Sequence, residues 1–305
     1  SRSLHTMIKS LNNKIFYSTV VCRKESKFTE ELKKNKNKYY IFENIPKFTS
    51  VRREKINIYS ILKFYLFDWI KSYQIRKKIL NLSYSYDYVH FNHVNLFLLA
   101  KWMRKKNRRS IFTMHIRTNP YFNITSRIQA RIANNYIDKF IFITENEYNN
   151  FLGLLNKKNV NGSIIHNIVE KKKYITDEYQ YLNKKNFYNI GIVSNYSYIR
   201  GTDRFIKVIE KLKKITEKKF LFIIAGDDSL SNYDKKKLSI KNSSISNLKE
   251  LAKENKIRNH CIFLGHINNP EDLYPYLNLL IKPTRDNNPW GRDILEAMIH
   301  KIPVI

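Results

Sequence analysis

Short apolar runs separated by amphipathic stretches recur along the whole chain. In the first half the runs are KIFYSTVV from Lys14, YDYVHFN from Tyr86, SIFTMH from Ser110, KFIFIT from Lys139 and GSIIHN from Gly162. Each has strand length and is rich in β-branched and aromatic residues. Stretches such as VNLFLLAKWMRKK lie between them and carry apolar residues at helical spacing. The pattern restarts with NIGIVS from Asn189, followed by a helix with Phe205, Val208, Ile209 and Leu212 on one face. KFLFIIAGD, CIFLG, LLIKPT and the final PVI read as further strands. Nearly continuous apolar strands alternating with helices predict parallel sheets covered on both faces. The expected fold class is therefore α/β, with two domains, 1–170 and 187–305. The polar stretch from Glu170 to Asn186 reads as the linker.

Two segments stand outside this rhythm. Asn57–Leu80 is helical in period and sets Tyr59, Phe64, Tyr65, Phe67, Trp69 and Tyr73 beside Lys63, Lys71, Arg76 and Lys77. It reads either as a core-packed helix with a basic outer face or as a segment for a membrane interface. Asp228–Ser246 is polar and reads as a surface loop or short helix.

Composition narrows these expectations. The 305 residues, 43% of them apolar, suffice for two folded domains with cores of their own. The formal charge of +30 suits an anionic partner, yet the basic residues are scattered and accompany heavy use of Asn, Ile and Tyr. Composition bias accounts for most of it, with attraction to an anionic membrane surface as a by-product. Cys22 and Cys261 have no metal-ligand spacing and fit a reducing cytosol. No uncharged apolar run reaches membrane-spanning length, and no leader peptide is visible.

The richest candidate chemistry lies in NNPWGRDILEAMIHKIPVI from Asn287. Asn288 suits an N-cap, Pro289 a first helical position, and Gly291 a close approach of backbone to ligand. A helix start with free N–H groups binds phosphate, and Glu296 two turns later could accept sugar hydroxyls.

This stretch resembles the signature of retaining nucleotide-sugar glycosyltransferases of family 4, E-P-F-G-x-x-x-x-E-A-M-A-x-G-x-P-V-I. Pro289, Trp290 (for Phe), Gly291, Glu296, Ala297, Met298, Pro303, Val304 and Ile305 match; Asn288 replaces the first glutamate and Lys301 the later glycine. NIGIVSNYSYIRGTDRFIKVIEKL is similar to the family's donor-domain strand, loop and helix. Its two diphosphate-clamping cations fall at Asn195 and Arg200, so one is lost and one is kept, followed by Gly201. SIFTMH is like the family strand that ends in Thr-x-His. This makes His115 either a cleft residue facing the donor or a hydrogen-bonded histidine at a strand end. Thr144, Glu145 and Asn167 occupy further family positions.

The resemblance implies a GT-B fold, with two Rossmann-like domains facing a cleft. It implies retaining transfer from a nucleoside diphosphate sugar to a glycan or lipid-linked acceptor, in surface polysaccharide or lipid-linked glycan synthesis. His115 and Arg200 would be catalytic; Asn195, Gly201, Asn288, Pro289, Trp290, Gly291 and Glu296 would bind substrate. No Asp-x-Asp metal motif stands out, so no metal and no cofactor beyond the donor is expected. The expected place is the cytoplasm, peripheral to the inner face of the membrane. Two other readings stay open. One is a basic nucleic-acid-binding protein, although no groove-reading or zinc motif is present and no specific nucleic acid is expected. The other is a GT-B sugar-nucleotide binder without catalysis, favoured by Asn195 and Asn288. Set against the family pattern, the chain reads as a piece cut at both ends, lacking the first strand and the last donor-domain elements.

Overall fold

The computed structural model describes residues 2–12, 14–48, 58–119, 122–171, 176–242, 244–285 and 291–305. Contacts divide the chain into two compact units, Ser1–Ile168 and Val169–Ile305.

The first unit begins with α1 (Arg2–Lys9), β1 (Thr19–Cys22), α2 (Lys27–Lys34) and β2 (Lys38–Ile41). β1 and β2 pair in parallel over a small core of Ile8, Val20, Cys22 and Leu32. The strand expected from Lys14 is shorter, because Asn12 draws the next residues into a turn. Its side chain accepts from Lys14 N–H and its carbonyl from Ile15 N–H, which leaves Ile15 and Tyr17 exposed.

The aromatic segment forms α3 (Ile58–Lys63), a π-helical turn (Phe64–Asp68), α4 (Trp69–Lys71) and α5 (Tyr73–Ser83). Ser72 interrupts the helix by donating its hydroxyl back to Trp69 O at 2.8 Å. Buried Arg76 lies 3.9 Å from the Trp69 ring centroid and 4.8 Å from that of Trp102, anchoring this break. Phe64, Ile79 and Leu80 enter the core, whereas Tyr59, Leu62, Tyr65, Leu66, Phe67, Ile70 and Tyr73 face solvent. The core-packed helix with a basic outer face is not what forms. One face does pack inward, but the outer face is largely apolar and only edged by lysines.

The main sheet of this unit has order β3-β4-β5-β6, all parallel: Tyr88–Phe91, Ile111–Ile116, Lys139–Phe142 and Gly162–Ile164. The helices α6 (Phe97–Arg104), α7 (Ile124–Tyr136) and α8 (Glu145–Leu155) connect the strands. On central β4, Phe112, Met114 and Ile116 are all buried. Thr144 caps α8 through a reciprocal box with Glu147.

The second unit has the order β10-β7-β8-β9, also all parallel. These strands span Leu279–Leu280, Phe187–Val193, Lys219–Ala225 and Cys261–Gly265. Val304 adds a single bridge to Leu280. β8 shows why the sheet is covered twice. Phe222 and Ile224 pack with Phe205 and Ile209 of α9 (Thr202–Ile215) and with Leu248 of a later helix. Leu221, Ile223 and Ala225 point the other way, onto Tyr274, Leu277 and Ala297. Gly191 on β7 leaves room for Leu277, whose Cδ1 would lie 2.6 Å from any Cβ there.

The stretch read as a linker is partly built into this second core. Its 3-10 turn Asp177–Leu182 places Tyr179 and Leu182, three residues apart, against Leu221 and Ile223. In Asp228–Ser246 the short helix α10 (Asn232–Lys237) forms, followed by α11 (Leu248–Glu254). The last helix, α12, spans Arg292–Ile299. Among the described residues no helix is long and apolar enough to cross a membrane.

Candidate functional site

In the second unit, the loop after β7 carries Asn195, Arg200 and Gly201. Gly201 adopts a left-handed backbone, φ +71°, as the N-cap of α9. A Cβ there would collide with the carbonyl of Pro283, so glycine is required at this turn. Arg200 closes the preceding 3-10 turn, is half-buried, and lines a small depression with Ser194, Lys282, Thr284 and Asp293.

Asn195 is exposed and not idle. Its Oδ1 accepts the Asp227 N–H at 3.0 Å, joining the loops after β7 and β8. Below them Gly226, φ +136°, passes so close to Ser194 O that no side chain would fit. The lost cation position thus serves loop geometry.

The helix carrying the signature starts later than the sequence suggests. Gly291 is extended (φ −67°, ψ 149°) and precedes Arg292, the first helical residue, instead of lying in the first turn. Asn288, Pro289 and Trp290 lie outside the described residues. A Cβ on Gly291 would run into Lys282 Nζ and Asp293 Oδ1, which pair with each other at 2.6 Å. A side chain there would push this pair aside, which the flexible ends of Lys282 and Asp293 allow. Asp293 in the first turn also complements the helix dipole.

Glu296 is buried and engaged. One carboxylate oxygen accepts from Arg292 Nε at 3.1 Å and the other from the Tyr274 hydroxyl at 3.3 Å. The Tyr274 phenol is pushed up by burial and by this carboxylate. A sugar hydroxyl reaching Glu296 has to share it with Arg292. Sequence reasoning missed Lys282, Asp293 and Arg292 as neighbours of the site. The signal for Lys282 was a cation at the carboxyl end of the strand-like run LLIK.

In the first unit His115 sits at the end of β4 and is only 5% exposed, with neither ring nitrogen hydrogen-bonded. Burial, then the charge of Arg117, lowers its pKa to about 3, so it is neutral at pH 7. Its ring meets that of His90 edge-on at 5.8 Å. The structure thus brings Arg200, Gly201 and Gly291 to the strand ends of the second unit, and His115 to those of the first. Among the described residues no group of three or more His, Cys, Asp or Glu side chains could hold a metal ion.

The family profile described as Glycosyltransferase Family 4 matches residues 1–173. The chain belongs to glycosyltransferase family 4. The profile for group 1 glycosyl transferases matches residues 175–305 of this family 4 glycosyltransferase. Among solved structures, Anabaena Alr3699/HepE in complex with UDP and glucose is similar, at 18% identity and a TM-score of 0.72, over 99% of this chain and 75% of that one. A glycosyltransferase from Rickettsia africae is similar at 15% identity and a TM-score of 0.66, over 94% and 69% of the two chains. At such identities the likeness establishes the fold, which is GT-B. No curated protein matches the sequence of this glycosyltransferase.

Proposed function

We propose that this family 4 glycosyltransferase moves a sugar from a nucleoside diphosphate sugar, UDP-linked in the first instance, to an acceptor hydroxyl with retention. Fold alone does not fix chemistry, so the reading rests on the second-unit site. The observation that carries it is the convergence of Arg200, Lys282 and the N-terminal turn of α12 on one depression. A guanidinium and a helix start suit a diphosphate, as does the Lys282 ammonium once it exchanges Asp293 for phosphate. Anabaena HepE was crystallised with UDP and glucose, and with UDP-glucose, which makes UDP the first donor base to try.

In the proposed reaction the bond from the anomeric carbon to the diphosphate oxygen breaks. The acceptor oxygen bonds to that carbon on the same face, and its proton passes to the departing phosphate. Arg200 stabilises charge as it grows on the leaving group. Gly201 and Gly291 let the backbone come close, with Asn195 beside them. Asn288, Pro289 and Trp290 contact the sugar, and Glu296 takes ribose hydroxyls. His115, being neutral, donates or accepts a hydrogen bond at the transferred sugar. No metal takes part.

The acceptor proposed is a glycan or a lipid-linked glycan, in surface polysaccharide synthesis, met at the cytoplasmic face of the membrane. The apolar outer face of α3–α4, edged by exposed Lys63, Lys71 and Lys77, together with the net charge of +30, supports contact with anionic lipid. A second reading, donor binding without transfer, is favoured by Asn195, whose side chain is tied to Asp227 where a clamping cation is expected.

The test is a thermal-shift panel of nucleoside diphosphates and nucleotide sugars, followed by NMR of the product's anomeric centre. Stabilisation by UDP or a UDP-sugar and an unchanged anomeric configuration are expected. Inversion would overturn the retaining mechanism; binding without turnover would select the second reading.

A further inference from the structure

The carboxyl ends of β3 and β4 gather donors and cations with no carboxylate among their recorded partners. His90 sits on β3 with Nδ1 2.9 Å from Thr113 Oγ1, and its Nε2 is buried without a partner. On β4, buried His115 has two unpartnered ring nitrogens. His93 accepts the Asn95 N–H on Nδ1 at 3.1 Å, so the proton of its neutral ring is on Nε2. Arg117, half-buried two residues past His115, gives its Nε–H to Asn92 Oδ1 at 2.8 Å and has no acidic partner among the described residues. Lys47 lies close enough to act on His93.

Such a set is unbalanced. Burial with the field of Arg117 keeps His90 at about 4 and His115 at about 3, and Lys47 adds to that field in holding His93 at about 4. All three rings are therefore neutral at pH 7. Burial alone lowers Arg117, to about 10, and no acid offsets it. Buried cations are ordinarily paired, and buried imidazole nitrogens are ordinarily hydrogen-bonded. An oxyanion among these groups would carry the missing negative charge and accept from their unused N–H groups.

We infer that His90, His93 and Arg117, beside His115, form an oxyanion subsite in the first unit that holds the phosphate or carboxylate of a charged acceptor. The inference rests on the sugar-transfer reading only in naming the acceptor as the bearer of the anion. It does not need the donor site to be correctly placed.

The experiment follows the histidine ring signals of the full chain by NMR. Inorganic phosphate, glycerol 3-phosphate and glucuronate are titrated in turn, with glycerol and glucose as uncharged controls. Saturable shifts of His90 and His115 with at least one anion, and none with the controls, are expected. The stronger of phosphate and glucuronate names the acceptor group. Arg117→Gln should weaken that anion about tenfold, and Arg117→Lys should retain part of the affinity, since a charge remains but the fork is lost. Circular dichroism melts of both variants keep a folding defect from passing as a binding defect. UDP is titrated separately into the same proteins and should bind Arg117→Gln as it binds the parent chain. Absence of saturable shifts, equal anion binding by Arg117→Gln, or displacement of the bound anion by UDP would overturn the inference. If UDP binds and these anions do not, the subsite is wrong and the donor reading stands. If the anions bind and UDP does not, the reverse holds.

Discussion

Arg285 grips Asp203 through two parallel hydrogen bonds, 2.7 Å from Nη1 to Oδ1 and 2.5 Å from Nη2 to Oδ2. The same guanidinium lies 3.8 Å from the Tyr198 ring centroid, and the Arg285 N–H reaches Ile199 O at 2.7 Å. Arg285, beyond the end of β10, thereby pins the turn that presents Arg200. Both side chains of the pair are largely shielded, 17% and 4% exposed. Removing one partner leaves a shielded charge alone, so Asp203→Ala is expected to cost about 3–5 kcal/mol. Urea unfolding of the two proteins checks this; a loss below 1 kcal/mol would mean the pair behaves as a surface contact.

Arg200 is expected to act on the diphosphate and not on the base. Arg200→Ala should weaken UDP and UDP-sugars alike by about 1.5–3 kcal/mol, the range of a charge-assisted hydrogen bond. Uridine should bind as before. Calorimetry with the three ligands separates this from a folding defect, which would weaken all of them.

Glu296 is expected to matter for stability as well as for donor binding, because it already holds Arg292 and Tyr274. Glu296→Gln keeps the shape and an acceptor for Tyr274 but gives up the ion pair. Donor affinity should fall by about 1–3 kcal/mol if a ribose hydroxyl uses the same carboxylate. An unchanged donor affinity alongside a lowered melting temperature would leave Glu296 a purely internal residue.

Acid is expected to loosen the first unit. His90 and His115 titrate at about 4 and about 3 in the folded chain, against the ordinary 6.5. Between those values the unfolded chain binds more protons than the folded one, so stability rises with pH through this window. Seen from neutral pH, stability is lost as the pH falls below about 6.5 and continues to fall toward about 4. Arg117 acts on both rings and widens this window. Melting temperatures of the parent chain and of His115→Asn, measured from pH 7 to 4.5, check it; the variant should show the shallower slope.

The exposed apolar face of α3–α4 is expected to seat on anionic lipid. The triple variant Leu66→Ser, Phe67→Ser, Ile70→Ser removes three exposed side chains that lie outside the core cluster. Vesicles with phosphatidylglycerol should sediment the parent chain and not the variant, and vesicles of phosphatidylcholine alone should sediment neither. Equal sedimentation of both proteins would leave this face without a lipid role.

Periodicity alone determined much of this protein. Strands such as KFLFIIA are apolar on both faces, and only a sheet covered twice can bury them, so their parallel α/β character is legible residue by residue. Order and spacing over Pro289–Ile305 likewise carried the family. What local pattern cannot report is which side chains meet across the sheet. Nothing near Asp203 in the chain announces Arg285, 82 residues on, and nothing around Glu296 announces Tyr274. Tyr179 and Leu182 lie in a polar stretch that reads as a linker, yet they are held in the core by strands far along the chain. The start of α12 also lies later than the local pattern suggests, with Gly291 extended ahead of Arg292. His90 and Arg117 drew no notice as separate residues. Arg117 is only two residues past His115, but His90 joins them because β3 and β4 lie side by side, with His90 registered against Thr113, and parallel pairing sets the ends of distant strands together.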